Sequence, residues 1–422
     1  MSKRNQGGRA GLLATVLAGL VACGELLPSA PDENGVLDGT LPGLSAPQLA
    51  VHAEGDAQFS RVFATSDALG SIFVATACAA CHAGEGKGHP AFNITRFGRA
   101  TATGFDPMRA DGGPQLQNRA ILNYLAEALP DGVTGVARFT APSVTGLGFL
   151  DAVDDSTLLR LADPEDSNAD GISGRVQLLA PSDLLARAAS LDAIARDGPA
   201  TRGTLVEGRY IGRFGKKGVA INLLHQVVTA YHEDMGITSD LIPEDVFNPR
   251  VGEFTGSRTA GPEVSSNVVN AVTFYLKTLK VPPRRNIASP DVIAGQQLFV
   301  TAGCAGCHLQ TLRTGSSTIP QLNRTEFHPY TDLLLHDMGA TLDDGYTEGR
   351  AATSEWRTAP LWGLGLSASF QGGAMHLLHD GRASSIHDAI RLHDGEARIS
   401  RAAFERLADD KARQLIAFLE SL

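Results

Sequence analysis

The stretch CAACH at residues 78–82 is the most informative part of this chain, and a second copy, CAGCH, stands at residues 304–308. Two cysteines separated by two residues and followed by histidine form the attachment signature of a c-type haem, whose vinyl groups react with both thiols. The histidine that follows is placed to ligate the iron. The sequence therefore predicts two covalently bound haem c groups. Their attachment residues are Cys78, Cys81, His82, Cys304, Cys307 and His308.

Two other uses of paired cysteines explain the pattern less well. A zinc ribbon brings its two cysteine pairs together within a short span, whereas about half of the 422-residue chain separates these pairs. A thioredoxin-like redox pair follows a strand that opens a βαβ unit, and neither pair has that context. Haem attachment is the interpretation that also explains both histidines.

The fifth cysteine, Cys23, belongs to a different pattern. Basic residues at the N-terminus precede an apolar run at 10–19, which is too short to span a bilayer. The string LVAC at 20–23 resembles the lipobox of bacterial lipoproteins, in which the chain is cut before a cysteine that then receives lipid. We expect a signal peptide at 1–22 and lipidation of Cys23. The alternative is an ordinary cleaved signal with an incidental cysteine.

Export agrees with the cofactor, because haem attachment of this kind takes place outside the cytoplasm. Gly24 follows Cys23, so the aspartate that resembles an inner-membrane retention signal is missing. We expect the protein to be lipid-anchored on the periplasmic side of a bacterial membrane, at the outer membrane. A formal charge of −10 argues against nucleic acid as a partner.

Composition and length divide the rest of the chain. Residues 23–55 are rich in proline and small residues without periodic apolar spacing, which is typical of a flexible tether. The remaining length suits two domains. We place an N-terminal haem c domain at 56–285 and a C-terminal haem c domain at 286–422.

The chain also repeats itself around the two motifs. Three pairs of similar strings occur in the same order: IFV and LFV at 72–74 and 298–300, TAP followed by GLG at 140–148 and 358–365, and YLKTL and FLESL at 275–279 and 418–422. Three matches in one order favour a duplication over chance similarity.

The segments beside the motifs predict helices. Ser289 and Pro290 form an N-cap with proline at the first helical position, and this helix should run to about Phe299. Apolar residues near Leu422 recur with a helical period. We therefore expect a mainly α fold of two cytochrome c-like domains, the first with a long insertion at about 149–266.

One feature of the insertion suggests a metal ion. Asp166, Asn168 and Asp170 place oxygen donors at alternate positions before Gly171, as in the first half of a calcium loop. Gln177 stands where an EF-hand has its bidentate carboxylate, so the loop is no complete EF-hand. The sequence predicts calcium here, and the alternative is a polar turn in solvent.

A second feature suggests acid–base chemistry. Apolar residues between 223 and 231 follow a helical period, which places Gln226 and Glu233 two turns apart on one face. A buried carboxylate beside an amide, from Glu233 or the adjacent Asp234, would shuttle the proton that peroxide cleavage requires. The alternative is an amphipathic helix with a solvated polar face.

Longer strings give the chain a family resemblance. They stand at residues 141–148, 161–175, 234–238, 330–339, 356–365 and 378–383. With them the mature chain resembles the bacterial di-haem oxidoreductase family, often labelled thiol oxidoreductase-like, a branch related to di-haem cytochrome c peroxidases and MauG. The name thiol oxidoreductase is explained by the cysteine pairs, which haem would consume.

The resemblance implies roles for several residues. In the related peroxidases the N-terminal haem reacts with peroxide and the C-terminal haem supplies it with electrons. Calcium lies between the domains, and a glutamine and a glutamate lie over the reactive iron, which Gln226 with Glu233 or Asp234 resembles. The peroxidases place a methionine ligand where this chain has Ser354 and Glu355. The nearby candidates for a sixth ligand of the second haem are Met338, Met375, His376 and His379, of which Met338 is favoured.

The resemblance also implies a function. We expect a di-haem peroxidase that reduces hydrogen peroxide with electrons from a small donor protein such as a cytochrome c or a cupredoxin. One alternative is a non-enzymatic di-haem electron-transfer protein. Another is MauG-like oxidation of a protein partner, for which Trp356 or Trp362 would relay electrons.

Overall fold

The computed structural model of the chain describes residues 37–194, 202–254 and 261–422. The predicted signal peptide at 1–22 and Cys23 lie outside these ranges. Helices make up 37% and strands 14% of the structure, so the fold is mixed α/β and the prediction of a mainly α fold is wrong. Within the described ranges, no helix combines the length and the apolar character that crossing a membrane requires.

The helices of the described ranges are mostly short. They are α1 (Ala46–Ser60), α2 (Cys78–Cys81), α3 (Leu147–Asp151), α4 (Asp155–Leu161), α5 (Asp183–Ile194), α6 (Leu223–Met235), α7 (Ser266–Thr278), α8 (Pro290–Thr301), α9 (Ser367–Phe370), α10 (Ile386–Leu392), α11 (Arg398–Glu405) and α12 (Asp409–Ser421). The predicted start of α8 is confirmed, with Ser289 at the N-cap and proline first in the helix.

The strands of the described ranges form small antiparallel sheets. They are β1 (Ile72–Phe73), β2 (Ile94–Thr101), β3 (Gly104–Asp106), β4 (Arg119–Ala120), β5 (Gly135–Phe139), β6 (Gln177–Leu179), β7 (Leu205–Val206), β8 (Arg209–Gly212), β9 (Phe247–Asn248), β10 (Glu253–Phe254), β11 (Leu312–Arg313), β12 (Glu326–Phe327), β13 (Leu335–Asp337) and β14 (Glu355–Arg357). β2 lies between β3 and β5, and β8 lies between β6 and β7. The remaining strands form the pairs β1–β4, β9–β10, β11–β12 and β13–β14.

Each attachment motif is bracketed by two helices that cross closely. α1 packs on α7 around the first motif, and α8 packs on α12 around the second. Glycine permits each crossing: a Cβ on Gly55 would lie 2.2 Å from the carbonyl oxygen of Ala271, and one on Gly295 would lie 1.9 Å from that of Gln414. Both distances are shorter than any real contact, so the backbones approach only because neither glycine has a side chain.

A second pair of glycines confirms part of the predicted duplication. A Cβ on Gly148 would lie 2.0 Å from the carbonyl oxygen of Lys277, and one on Gly365 would lie 2.0 Å from that of Glu420. The GLG strings therefore pack on equivalent positions of YLKTL and FLESL. The sequence alignment of these two pairs is also a structural one.

The third matched pair differs between the halves. Residues 72–73 form strand β1, whereas 298–300 lie in helix α8, so this similarity is local. The helix that corresponds to α8 is α1, which begins at Ala46 and buries His52, Gly55 and Phe59. The last ten residues of the predicted tether are thus helical and packed, while the domain boundaries stay predictions.

The largest hydrophobic core joins both halves of the chain. Phe149 and Leu223 lie in it together with Phe327 and Trp362 from beyond the predicted boundary. The rings of Phe149 and Phe327 stack with their centres 5.3 Å apart. The described residues from Leu37 to Leu422 accordingly form one compact unit, which holds the two attachment motifs in a common frame.

Candidate functional site

The first attachment motif lies in the short helix α2, and His82 follows its last residue. The ring nitrogen Nδ1 of His82 donates a hydrogen bond to the carbonyl oxygen of Pro142 at 2.8 Å. Metal-binding histidines typically fix their other ring nitrogen in this way, which leaves the lone pair of Nε2 for the metal. Burial lowers the pKa of His82 to about 4, so the ring is neutral at physiological pH.

The second attachment motif repeats this arrangement. Cys304 begins the 3₁₀ turn Cys304–Gly306 just after α8, and Cys307 directly follows this turn. Nδ1 of His308 donates to the carbonyl oxygen of Tyr330 at 2.9 Å, and burial lowers the pKa of His308 to about 4. Both histidines are therefore neutral, held by a backbone carbonyl, and able to ligate a metal through Nε2.

A cavity of about 300 Å³ with mainly apolar walls adjoins the second motif. Cys304, Cys307 and His308 line it, and Trp356 and Trp362 also contribute to its walls. Its size lies in the range of cofactor sites. An apolar cavity beside two free thiols and a neutral imidazole is what haem attachment requires.

Four basic side chains line the cavity and complete the fit to haem. They are Lys87, Lys216, Arg357 and Arg401. Burial lowers the pKa of Lys87 to about 7 and that of Lys216 well below its usual range, because charged ammonium groups lose hydration there. The two propionate carboxylates of a haem would stabilise such buried cations. The residues present therefore fit the cofactor in charge as well as in shape.

The two motifs share a wall. Pro142 and Ser143 line the cavity that contains His308, and the carbonyl oxygen of Pro142 also accepts the hydrogen bond from His82. The segment at 142–143 thus contacts the first attachment histidine and lines the cavity beside the second.

Of the predicted acid–base residues, Asp234 contacts the segment just before the first motif. Its carbonyl oxygen accepts hydrogen bonds from the amides of Val74 and Ala75 at 2.7 and 3.0 Å. Burial and then the Asp234 charge raise the pKa of Cys78 to about 12. The side-chain amide of Gln115 donates to Oδ1 of Asp234 at 2.7 Å. Burial raises the pKa of Asp234 to about 6, so this carboxyl exchanges a proton near neutral pH.

Glu233 has a different environment from its neighbour. Nη2 of Arg96 lies 2.7 Å from Oε2 of Glu233, and Nε of Arg96 lies 3.9 Å from Oε1 of Glu348. Burial alone would raise the pKa of Glu233, but the Arg96 charge outweighs it and holds the pKa below its usual range. Glu233 is therefore an anion fixed in an ion pair, and Asp234 is the carboxyl that can take up and release a proton.

Gln226 lies on α6 two turns before Glu233, as predicted, and is half-buried. Its role over a haem stays a prediction. Sequence reasoning missed Arg96 and Gln115, which set the properties of the two carboxyls. The sequence gives no sign of these two residues, because Arg96 in β2 and Gln115 in a loop lie far from the two carboxyls in the sequence.

The predicted calcium loop is an exposed turn. The side chain of Asp166 accepts from the amide of Gly171, and that of Asp170 accepts from the amide of Ile172 at 2.9 Å. Asn168 accepts from the amide of Asp170 at 2.9 Å. Within the described ranges no group of three or more His, Cys, Asp or Glu residues is arranged to hold a metal ion. Calcium at this loop therefore stays a prediction.

The structure brings the predicted ligand Met338 to the second site. Met338 follows β13, its amide donates to the carbonyl oxygen of Ser354 at 3.0 Å, and its side chain lines the cavity with His308. Trp356 is held nearby because its indole N–H donates to the carbonyl oxygen of Leu342 at 2.9 Å. Ligation by Met338 stays a prediction.

A protein-family model matches most of the chain. Residues 119–422 match the model of a family described as "Di-haem oxidoreductase, putative peroxidase". The match includes the second motif, the insertion and α6, and the first motif lies upstream of it. A search of curated protein sequences finds no match.

Two solved structures are remotely similar. A chain of hydrazine synthase from Kuenenia stuttgartiensis is 14% identical with a TM-score of 0.40, covering 100% of this chain and 98% of that chain. A MauG-like protein associated with microbial copper homeostasis is 12% identical with a TM-score of 0.30, covering 64% of this chain and 90% of that chain. Both likenesses are too distant to carry an argument about function.

Proposed function

The chain belongs to the di-haem oxidoreductase family, and from that premise we propose that it binds two covalent haem c groups and reduces hydrogen peroxide. The observation that supports the proposal best is the matched pair of histidines. His82 and His308 each follow a pair of thiols, and each keeps Nε2 free while Nδ1 binds a backbone carbonyl. We also propose that each half is a cytochrome c-like domain, given the helix crossing around each motif.

The residues that hold the cofactors are those of the two motifs. Cys78 and Cys81 would form thioethers with one haem, and Cys304 and Cys307 with the other. Once bound, each haem supplies an iron that gains or loses one electron. The reaction needs two electrons and two protons for each hydrogen peroxide, which becomes two molecules of water. A small external donor, a cytochrome c or a cupredoxin, would supply the electrons.

The proposed role of Asp234 is proton transfer at the first site. Cleavage of the O–O bond requires a group that takes a proton from one oxygen and returns it to the other. A carboxyl with a pKa of about 6 can do both near neutral pH. The side-chain amide of Gln115 keeps the Asp234 carboxyl in place. The Glu233 carboxylate is paired with Arg96 and takes no part in this proton exchange.

The decisive experiment measures haem content and peroxide consumption on the same preparation. A pyridine haemochrome assay should report two c-type haems per chain, and the half-reduced protein should consume peroxide. Zinc or free thiols in place of haem would refute the whole proposal. Two haems without any reaction with peroxide would leave an electron-transfer protein, a function that the shared wall at Pro142 favours.

We further propose a lipid anchor on Cys23 that holds the protein to the periplasmic face of a bacterial membrane, at the outer membrane. The sequence pattern LVAC supports this proposal. Cys23→Ser should release the protein from membranes or leave an uncleaved precursor. Membrane association that still requires detergent in this variant would refute the anchor.

A further inference from the structure

A histidine that the motifs did not single out faces the second attachment histidine. His393 directly follows helix α10 and lines the same cavity as His308. The two imidazole rings have their centres 6.5 Å apart, with an angle of 48° between the ring planes. Their separation can be compared with that of two imidazoles on opposite sides of one iron.

Bond lengths give the expected separation. A metal–imidazole bond is about 2.0 Å long and the ring centre lies about 1.1 Å behind the nitrogen, so two ligands in line are about 6.2 Å apart between centres. The observed 6.5 Å agrees with this value within a few tenths of an ångström. The spacing of the two rings therefore suits two ligands of one iron.

The hydrogen bonds of both rings point to the same use. Nδ1 of His393 donates to the carbonyl oxygen of Ala389 at 2.7 Å, just as Nδ1 of His308 donates to that of Tyr330. Each ring thus keeps the Nε2 lone pair, the arrangement typical of metal ligands. In the part of the chain that the structure describes, neither Nε2 has a hydrogen-bond partner. Both acceptors line the cavity and are therefore available to a ligand there.

The simpler explanation is an ordinary contact between two aromatic rings. Centre distances of 4.5–7 Å are common for such pairs, so the distance alone does not exclude it. The simple contact explains neither the orientation of both Nδ1 atoms toward the backbone nor the two unpaired Nε2 atoms. Ligation of one iron explains all three observations.

The rival ligands are occupied by other contacts. The ring of His379 stacks on Trp356 with centres 3.7 Å apart and planes at 10°. The ring of His376 packs on that of His89 at 4.7 Å. The remaining rivals pack against hydrophobic clusters: Met338 on the one that contains Trp356, and Met375 on the one around α8 and α12. Met338 and His379 also line the cavity. His379 is stacked on Trp356, so Met338 is the rival that an experiment must test.

We propose that His393 is the sixth ligand of the iron that His308 holds, so that the second haem is six-coordinate with two histidines. This inference rests on the proposed attachment of haem at Cys304 and Cys307. A second haem with both axial positions filled has no place for peroxide, which assigns substrate chemistry to the first site. A second histidine in place of methionine also lowers the reduction potential, which suits a haem that donates electrons.

The test uses the full-length protein with both haems and compares His393→Ala, His393→Met and Met338→Leu. Haem content by pyridine haemochrome is measured first on each preparation. Electron paramagnetic resonance and near-infrared magnetic circular dichroism then report spin state and axial ligands. In His393→Ala we expect the bis-histidine low-spin signal to be lost, a high-spin signal to appear, and added imidazole to restore the low-spin signal. His393→Met should give a histidine–methionine spectrum and a higher potential for the second haem.

The matched variant Met338→Leu should leave spectra and potential unchanged. Loss of the low-spin signal in Met338→Leu, or an unchanged spectrum in His393→Ala with both haems attached, would overturn the assignment. If His393→Ala fails to fold, the parent spectrum decides, because a parent without a bis-histidine signal refutes the inference. A parent with fewer than two haems would instead refute the proposed function, so the two failures are distinguishable.

Discussion

The two halves of this molecule share a frame and differ in the residues that lie beside each attachment motif. In both halves a helix before the motif crosses a helix after it at a glycine, Gly55 or Gly295. In both, the histidine is fixed by a backbone carbonyl. The neighbouring residues differ: the first motif lies beside Asp234 on α6, which belongs to the insertion, and the ring of His393 lies close to that of His308 in the second.

The difference shows how a duplicated electron carrier can acquire chemistry. The duplicated frame supplies only what holds a haem, namely two thiols, a neutral histidine and crossing helices. The inserted segment brings carboxyls to the first half, whereas the ring of His393 lies beside that of His308 in the second half. On this reading the first haem is open to substrate and the second haem only relays electrons.

The largest effect should come from removing one attachment site. Cys304→Ala with Cys307→Ala should leave one covalent haem per chain and abolish peroxide turnover, because electrons no longer reach the first site. Cys78→Ala with Cys81→Ala should also leave one haem. A pyridine haemochrome assay measures both variants, and Cys23→Ser is the control that keeps both haems. Loss of both haems in either variant would show that the halves do not load independently.

The two neighbouring carboxyls should differ strongly in activity. Asp234→Asn should lower peroxide turnover by about 10²–10⁴-fold, the usual contribution of a general acid–base group, with both haems retained. Glu233→Gln should have a smaller effect, since Glu233 is tied to Arg96. The exposed Asp131→Asn is the control. Equal effects of Asp234→Asn and Glu233→Gln would contradict the assignment.

The pH dependence sharpens the same test. The pKa of Asp234 is raised to about 6, so the carboxyl is protonated below that pH and cannot accept a proton. Turnover in the parent should therefore fall as the pH drops through about 6. Steady-state rates against pH should show this limb in the parent and lack it in Asp234→Asn. If the turnover of Asp234→Asn still falls as the pH drops through about 6, another group causes this pH dependence.

The helix crossings should respond to a single methyl group. Gly295→Ala and Gly55→Ala should each destabilise the protein by about 1–3 kcal/mol through overpacking, because the new Cβ meets a carbonyl oxygen. Without that contact the same change inside a helix would stabilise by about 1 kcal/mol. Urea denaturation gives the sign, and Ile293→Ala on the exposed side of α8 is the control. A gain in stability would disprove the close crossing.

The smallest effect is expected in the exposed loop. Asp170→Ala removes the acceptor for the amide of Ile172 and should cost about 0.5–1.5 kcal/mol, the net value of a hydrogen bond. If calcium holds this loop, chelation of the parent should reproduce the loss of stability, and metal analysis should find one calcium fewer in the variant. Stability unchanged by chelation would leave a polar turn.

The sequence by itself determined those features whose residues lie close together in the chain. The two thiols and the histidine of each motif are consecutive, so their spacing alone indicates haem attachment. The N-cap at Ser289 and the matched GLG strings are also local signals, and the structure confirms them. The duplication could be detected in the sequence for the same reason, because each matched string is a short continuous segment.

Only the tertiary structure decided the partners of those residues. The carbonyls of Pro142 and Tyr330 lie 60 and 22 residues from the histidines that they hold, and Gln115 lies 119 residues from Asp234. Most strands are two or three residues long, too short for an alternating pattern, and they form only when distant segments pair. His393 shows no motif at all, because its meaning depends on a ring 6.5 Å away in space. Local spacing predicted the cofactor, and long-range packing decided which residues lie beside each motif.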